Sequence, residues 1–178
     1  MRKVVAYELL SLDGVAEDPD AFITEFDDAM AENLRRVVAT QDAVLLGRRT
    51  YDDWAAFWQG RAPGLFSDFI NPVRKFVVTS TPLADRWVNA ATVNGDPAAF
   101  VRDLREQRGG DIGVHGSISL TKALLEAELI DELRLVVAPA LQVRGRRLFD
   151  VATPARLECT GCIASPAGYL LLDYRARG

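Results

Sequence analysis

The chain has 178 residues and a mass of 19.6 kDa, a size that suits one domain. Apolar residues make up 49% and charged residues 26%, so the chain buries roughly 70% of its unfolded surface; disorder, collagen and small disulfide scaffolds are excluded. Lys and Arg number 21 against 25 Asp and Glu, a net charge of −4, and the densest basic groups are the short Arg48-Arg49 and Arg144-Gly145-Arg146-Arg147. Either can hold a small anion, but neither makes a polyanion track, so no nucleic-acid partner is expected.

The N-terminus meets charge at Glu8, too early for the apolar region of a signal peptide. No apolar run approaches the roughly 20 residues that cross a bilayer, so a cytoplasmic protein without a membrane partner is expected.

In chain order, residues 4–10 read as a strand, followed by a turn at Asp13-Gly14. Phe22, Phe26, Met30, Leu34 and Val38 recur every four residues, which predicts one face of a helix. Residues 43–46 are a short buried strand ending at Gly47. Thr50 is placed to cap the next helix, with Asp53 three residues on in capping-box spacing. Tyr51, Trp54, Ala55 and Trp58 fall on one face of that helix, and residues 60–63 end it. Residues 75–79 and 91–93 are further strands.

Asp96-Pro97 supplies an N-cap followed by proline at the first helical position, and Gly109-Gly110 closes that helix. Residues 111–114 form a strand, and Gly116-Ser117 opens a helix carrying Leu120, Leu124 and Ala127. Strands at 132–138, 157–164 and 169–174 follow, the last two joined by the turn Ser165-Pro166-Ala167-Gly168. Strands alternating with helices, then a closing hairpin, predict an α/β fold. Its central mixed sheet is mostly parallel with an antiparallel C-terminal edge, flanked by helices, in one domain over 1–178.

Cys159 and Cys162 make a C-x-x-C within a strand pattern, where positions three apart face opposite sides. With one histidine, His115, in the chain, no metal site is expected, and a structural role for the pair is favoured over thiol redox chemistry.

Three strand ends carry the informative residues, since ligands of open α/β sheets sit outside the strands' carboxyl ends. At Gly47-Arg48-Arg49-Thr50 a strand runs into two arginines and a helix start, either an anion site or a solvated basic turn. At Thr79-Ser80-Thr81 three hydroxyls either bind a ribose phosphate or cap the next turn. At His115-Gly116-Ser117 a glycine allows close approach of backbone to a pyrophosphate, though the G-x-G-x-x-G fingerprint is absent.

Together with Ser11-Leu12-Asp13-Gly14, Asp131-Glu132-Leu133, Pro139 and Gly145-Arg146-Arg147-Leu148-Phe149, these segments resemble the dihydrofolate reductase-like superfamily. The similarity is closer to the reductase domain of bifunctional riboflavin-biosynthesis deaminase–reductases and its stand-alone relatives, over roughly residues 3–175. The resemblance implies a three-layer fold, a homodimer and NADPH as cofactor. It also implies an NADPH-dependent reductase passing a hydride to a small heterocycle. That substrate would be pyrimidine-like, such as the ribosylaminopyrimidine of 5-amino-6-(5-phosphoribosylamino)uracil reductases.

On this resemblance Gly47, Arg48, Arg49 and Thr50 hold the adenosine side of NADPH, with an arginine on its 2′-phosphate. Thr79 and Ser80 complete that pocket, and Gly116 and Ser117 place backbone N–H groups on the pyrophosphate. Ser11, Asp13 and Gly14 border the nicotinamide and substrate cleft, and Tyr51 is a candidate substrate contact. Asp13 is the expected proton donor, with Asp28 and Glu32 behind it. Trp54 is expected in the core.

Two departures stand out. His115 occupies a position where the family has paired glycines, at a junction that is a cis peptide in related folds, and is expected to be exposed. The zinc signature of the deaminase half, H-x-E with P-C-x-x-C, is absent, so the reductase half alone, or a relative with another substrate, is expected. The Trp-Pro signature of folate enzymes is also missing, which disfavours folate. The competing reading is a non-catalytic dimeric protein that binds NADPH or a small molecule.

Overall fold

The computed structural model describes residues 1–83, 87–151 and 154–176. The first strand, β1 (Val4–Ser11), is the axis of the sheet and buried along nearly its whole length, as expected of a strand covered on both faces. It lies parallel to β5 (Asp111–His115) on one side and β6 (Glu132–Ala138) on the other. Beyond β5 come β2 (Gln41–Gly47), β3 (Arg74–Val78) and β4 (Ala90–Val93), all parallel. Beyond β6 come β8 (Leu170–Ala176) and the edge strand β7 (Leu157–Ala164), each antiparallel to its neighbour. The order of the eight-stranded sheet is β4-β3-β2-β5-β1-β6-β8-β7. The mixed sheet with an antiparallel C-terminal edge is as the sequence predicts.

Helices cover both faces. On one, α4 (Pro97–Glu106) and α5 (Ile118–Glu126) bring Val101, Leu104, Leu120 and Leu124 onto Val4, Ala6, Val114 and Leu133. On the other, α1 (Asp28–Val38) lays Met30, Leu34 and Val37 on Tyr7, Val136 and Leu171. Beside it α2 (Arg48–Trp58) and α3 (Leu65–Ile70) pack Tyr51, Ala55 and Ile70 against Val44, Leu46 and Val77. Lys75, wholly buried in β3, donates to the carbonyl oxygens of Ile70, Asn71 and Val73 at 2.8–2.9 Å, tying down the end of α3.

Several local readings shift. The four-residue repeat starting at Phe22 enters a helix only at Asp28, because Asp27 caps α1 by accepting the Met30 N–H. Phe22 is still buried, but after a short 3-10 turn at Pro19–Ala21, and Phe26 is half exposed. The cap of α2 is Gly47, so Thr50 lies inside the helix and does not cap it. The six-residue α3 was not foreseen, being too short to show a period. A β-bulge between Cys159 and Gly161 pairs Cys159 with Tyr174 and Cys162 with Leu172. The extra residue puts the two cysteines on one face, not opposite ones. Both are free and exposed.

Candidate active site

Strand length creates the site. The β5–β1 pairing stops at His115 opposite Tyr7, while β1 continues against β6 to Ser11. After Gly116, with φ of +62°, the chain turns away into α5. The result is a cleft of about 1040 Å³ above the end of β5, lying between β1 and the start of α2. It is the point in the sheet where chain connections depart in opposite directions, the usual place for a ligand in such folds.

One end of the cleft is rich in hydrogen-bond donors. The Gly47 N–H donates to Ser117 Oγ at 2.9 Å, and that hydroxyl donates to Thr50 Oγ1 at 3.0 Å. This contact joins the N-termini of α2 and α5. Neither helix has a side-chain cap, so their first-turn N–H groups are available to an anion. Arg48 Nε donates to Asp52, and its Nη1 donates to Thr81 Oγ1 and the Pro82 carbonyl at 2.7 and 2.8 Å. Arg49 is 70% exposed and among the described residues meets only Glu17, at 3.4 Å.

A loop after β6 adds a further cation. Asp13 accepts from Ser11 Oγ at 2.7 Å and from the N–H groups of Gln142 and Val143 at 3.0 and 2.9 Å. Those bonds hold the Asp13 carboxyl down at about 2, with Ser11 the largest cause. Gly145, at φ of +120°, lies where a Cβ would come within 2.7 Å of Val15 Cγ1. This close approach carries Arg146 into the cleft, where its Nη2 donates to Ser119 Oγ at 2.6 Å and its backbone N–H to Glu17 at 3.2 Å.

The other end is aromatic. Phe66 meets Trp54 and Trp58 edge-on at 5.3 and 5.1 Å. The Arg61 guanidinium stands 3.7 Å over the Phe57 ring. Phe26, Leu34 and Leu65 complete this wall.

Two buried titratable groups border the cleft. Glu8 is 1% exposed, and Thr121 Oγ1 donates to its Oε1 at 2.7 Å, the one hydrogen bond to that carboxyl among the described residues. Burial pushes Glu8 up to about 8, the Thr121 bond opposing only part of that rise. His115 is also 1% exposed, with Nε2 2.7 Å from Gln41 Oε1 and the rings of Tyr7, Phe66 and Phe69 around it. Burial drives it down to about 3. The expectation of an exposed junction residue is thus corrected: the side chain points back under the sheet, away from solvent. The peptides of the described residues are all trans, His115–Gly116 included.

The structure therefore gathers Gly47, Arg48, Arg49, Thr50, Gly116 and Ser117 along one cleft. Thr79 and Ser80 stand a loop away, connected through Thr81, which Thr79 Oγ1 contacts at 3.2 Å and Arg48 at 2.7 Å. Ser11, Asp13 and Gly14 do not line the cleft; they brace the loop that carries Arg146. Tyr51, expected near substrate, is fully buried, its hydroxyl accepting the Trp87 N–H at 3.1 Å. Trp54, expected in the core, is partly buried against it and also stands in the cleft wall. Asp28 and Glu32 face solvent.

Sequence reasoning missed Glu8 and Arg61, and singled out Arg146 only as part of a basic run able to hold a small anion. Glu8 alone left a signal: an acid at the inward-facing position between Ala6 and Leu10.

The sheet order and a cleft at the end of β5 define a dihydrofolate reductase-like fold. The chain belongs to the RibD C-terminal domain family, which it matches over residues 2–171. It is 26% identical over 161 residues to the uncharacterized protein YwjB of Bacillus subtilis (strain 168), covering 85% of each chain. Its fold is similar to that of a putative riboflavin biosynthesis protein from Shewanella sp. PV-4, with TM-score 0.76, 17% identity and 99% of each chain covered. It is similar also to dihydrofolate reductase from Enterococcus faecalis, solved in complex with NADP(H) and RAB-propyl. There the TM-score is 0.66 and identity 13%, covering 99% of this chain and 97% of that one. Membership of this family supports a reductase of the riboflavin-biosynthesis kind.

Proposed function

We propose that the protein is an NADPH-dependent reductase that passes a hydride to a small, pyrimidine-like heterocycle, acting as a cytoplasmic homodimer. One observation carries the reading: the uncapped N-termini of α2 and α5 meet through Gly47 and Ser117, beside Arg48 and Arg49, in a cleft whose far end is aromatic. Two helix termini and two guanidiniums suit a dinucleotide with an added phosphate. The NADP(H) held by the similarly folded enzyme from Enterococcus faecalis supports it.

The residues present fit that cofactor. The N–H groups at Gly116 and Ser117 and the first turn of α5 would hold its pyrophosphate, Gly116 having no side chain to stand in the way. Arg48, Arg49, Thr79 and Ser80 would hold the 2′-phosphate, Arg48 already joining α2 to the loop after β3 through Thr81. When bound, the nicotinamide supplies the hydride. The aromatic wall of Trp54, Trp58 and Phe66 would orient a flat substrate and exclude water from it.

The test is calorimetric titration with NADPH and NADH. The wild type should prefer NADPH, and Arg48→Ala with Arg49→Ala should erase that preference; an unchanged ratio refutes the phosphate pocket. NADPH oxidation with a panel of pyrimidines and pterins then tests turnover, and binding without oxidation by any of them would favour a non-catalytic protein.

A further inference from the structure

We infer that Glu8 is the proton donor of the reduction, delivering its carboxylic proton to the nitrogen or oxygen of the substrate's double bond. The inference rests on the reductase reading above. Reducing such a bond needs one hydride and one proton. A bound nicotinamide would supply the hydride to carbon; the Glu8 O–H bond breaks, an N–H or O–H bond forms on the substrate, and the carboxylate left behind takes a new proton from water.

Of the acids lining the cleft, Glu8 is the buried one, whereas Asp18, Asp20 and Asp53 are exposed at its mouth. Asp13 does not line the cleft and is held ionised by three hydrogen bonds. Glu17 is engaged by Arg49 and the Arg146 N–H at the mouth. Glu8 stands on β1 one residue beyond Tyr7, where β5 stops and the strand borders the cleft.

Its surroundings keep the proton on it. From β6 the residue opposite is Leu135, and from α5 the facing group is Thr121. Lys122, next on α5, turns to Asp150 at 3.9 Å. The charged groups of the mouth, Arg48, Arg49, Arg146 and Glu17, are bonded elsewhere. His115, at the end of β5, is bonded to Gln41 and neutral at pH 7. With no cation against it among the described residues, burial pushes the Glu8 carboxyl up to about 8 and keeps the proton on it at pH 7.

The experiment compares wild type with Glu8→Gln, which keeps the shape and an acceptor for Thr121. Infrared difference spectra of the unliganded protein should show a protonated carboxyl band at pH 7 that titrates near pH 8 and is missing from E8Q. E8Q should bind NADPH as wild type does while kcat falls about 10²–10⁴-fold and loses its alkaline limb. Absence of the band in wild type, or an E8Q that turns over with the wild-type pH profile, overturns the inference. Failure of wild type to oxidise NADPH with any pyrimidine or pterin overturns the reductase reading, and this inference with it. Should E8Q not fold, Thr121→Val removes only the bond that favours the carboxylate. The infrared titration and the kcat limb should then move to higher pH, and a limb that stays in place overturns the inference.

Discussion

A single hydroxyl, Ser117 Oγ, accepts the Gly47 N–H at 2.9 Å and so fixes how the entrances of α2 and α5 face each other. Ser117→Ala leaves that partly buried N–H unpaired, at a cost of about 1–3 kcal/mol in stability. On the proposed function the first turn of α5 holds the pyrophosphate common to both cofactors, so affinities for NADPH and NADH should fall together. Thermal melts and paired titrations check this; a loss confined to NADPH would place Ser117 at the 2′-phosphate instead.

Asp13 should behave as a brace. Held at about 2 by Ser11 and two backbone N–H groups, it stays ionised at any working pH and has no proton to give. Asp13→Asn should loosen residues 140–148 and lower activity a few-fold, while the pH profile keeps its shape. A vanished pH limb in D13N would return Asp13 to the role of proton donor.

His115 gives the protein an acid weakness. Its folded value of about 3 lies below the unfolded value of 6.5, so the unfolded chain binds more protons between them. The stability this burial allows is full above pH 6.5 and is lost as pH falls toward 3, at up to about 1.4 kcal/mol per pH unit. His115→Gln should flatten that part of the curve relative to wild type between pH 6.5 and 4, measured by denaturant midpoints.

Lys75, itself wholly buried, answers three carbonyl oxygens. Lys75→Met preserves the stem but orphans all three at the end of α3. The expected loss is about 2–4 kcal/mol, seen in the denaturant midpoint with little change in NADPH affinity.

The fold was legible where local chemistry and burial agree. The Asp96-Pro97 start caps α4 as read, with the Asp96 carboxylate accepting from Ala98 and Ala99. β6 and β7 keep the predicted bounds, because apolar strands flanked by turn residues leave few alternatives. Thr50 failed as a cap because the strand end at Gly47 brings the helix start forward and gives the threonine another partner, Ser117. The site was half legible. Residues at strand-to-helix junctions announce themselves by glycine, arginine and hydroxyl runs. Glu8 does not, and Arg146 shows only as one of a basic run, since their place depends on β1 outlasting β5 and on a loop folded over Asp13. The cysteine pair shows the same dependence: strand alternation is a sound rule until one bulged residue reverses it.

The arrangement of indoles equips the protein with its own optical reporter. Trp54 and Trp58 stand in the cleft wall against Phe66, while Trp87 is sealed in the core at 4% exposure. A reduced nicotinamide lodged beside the first two would drain their emission by energy transfer. Occupancy could therefore be followed in the unlabelled protein, one tryptophan at a time, through Trp54→Phe and Trp58→Phe.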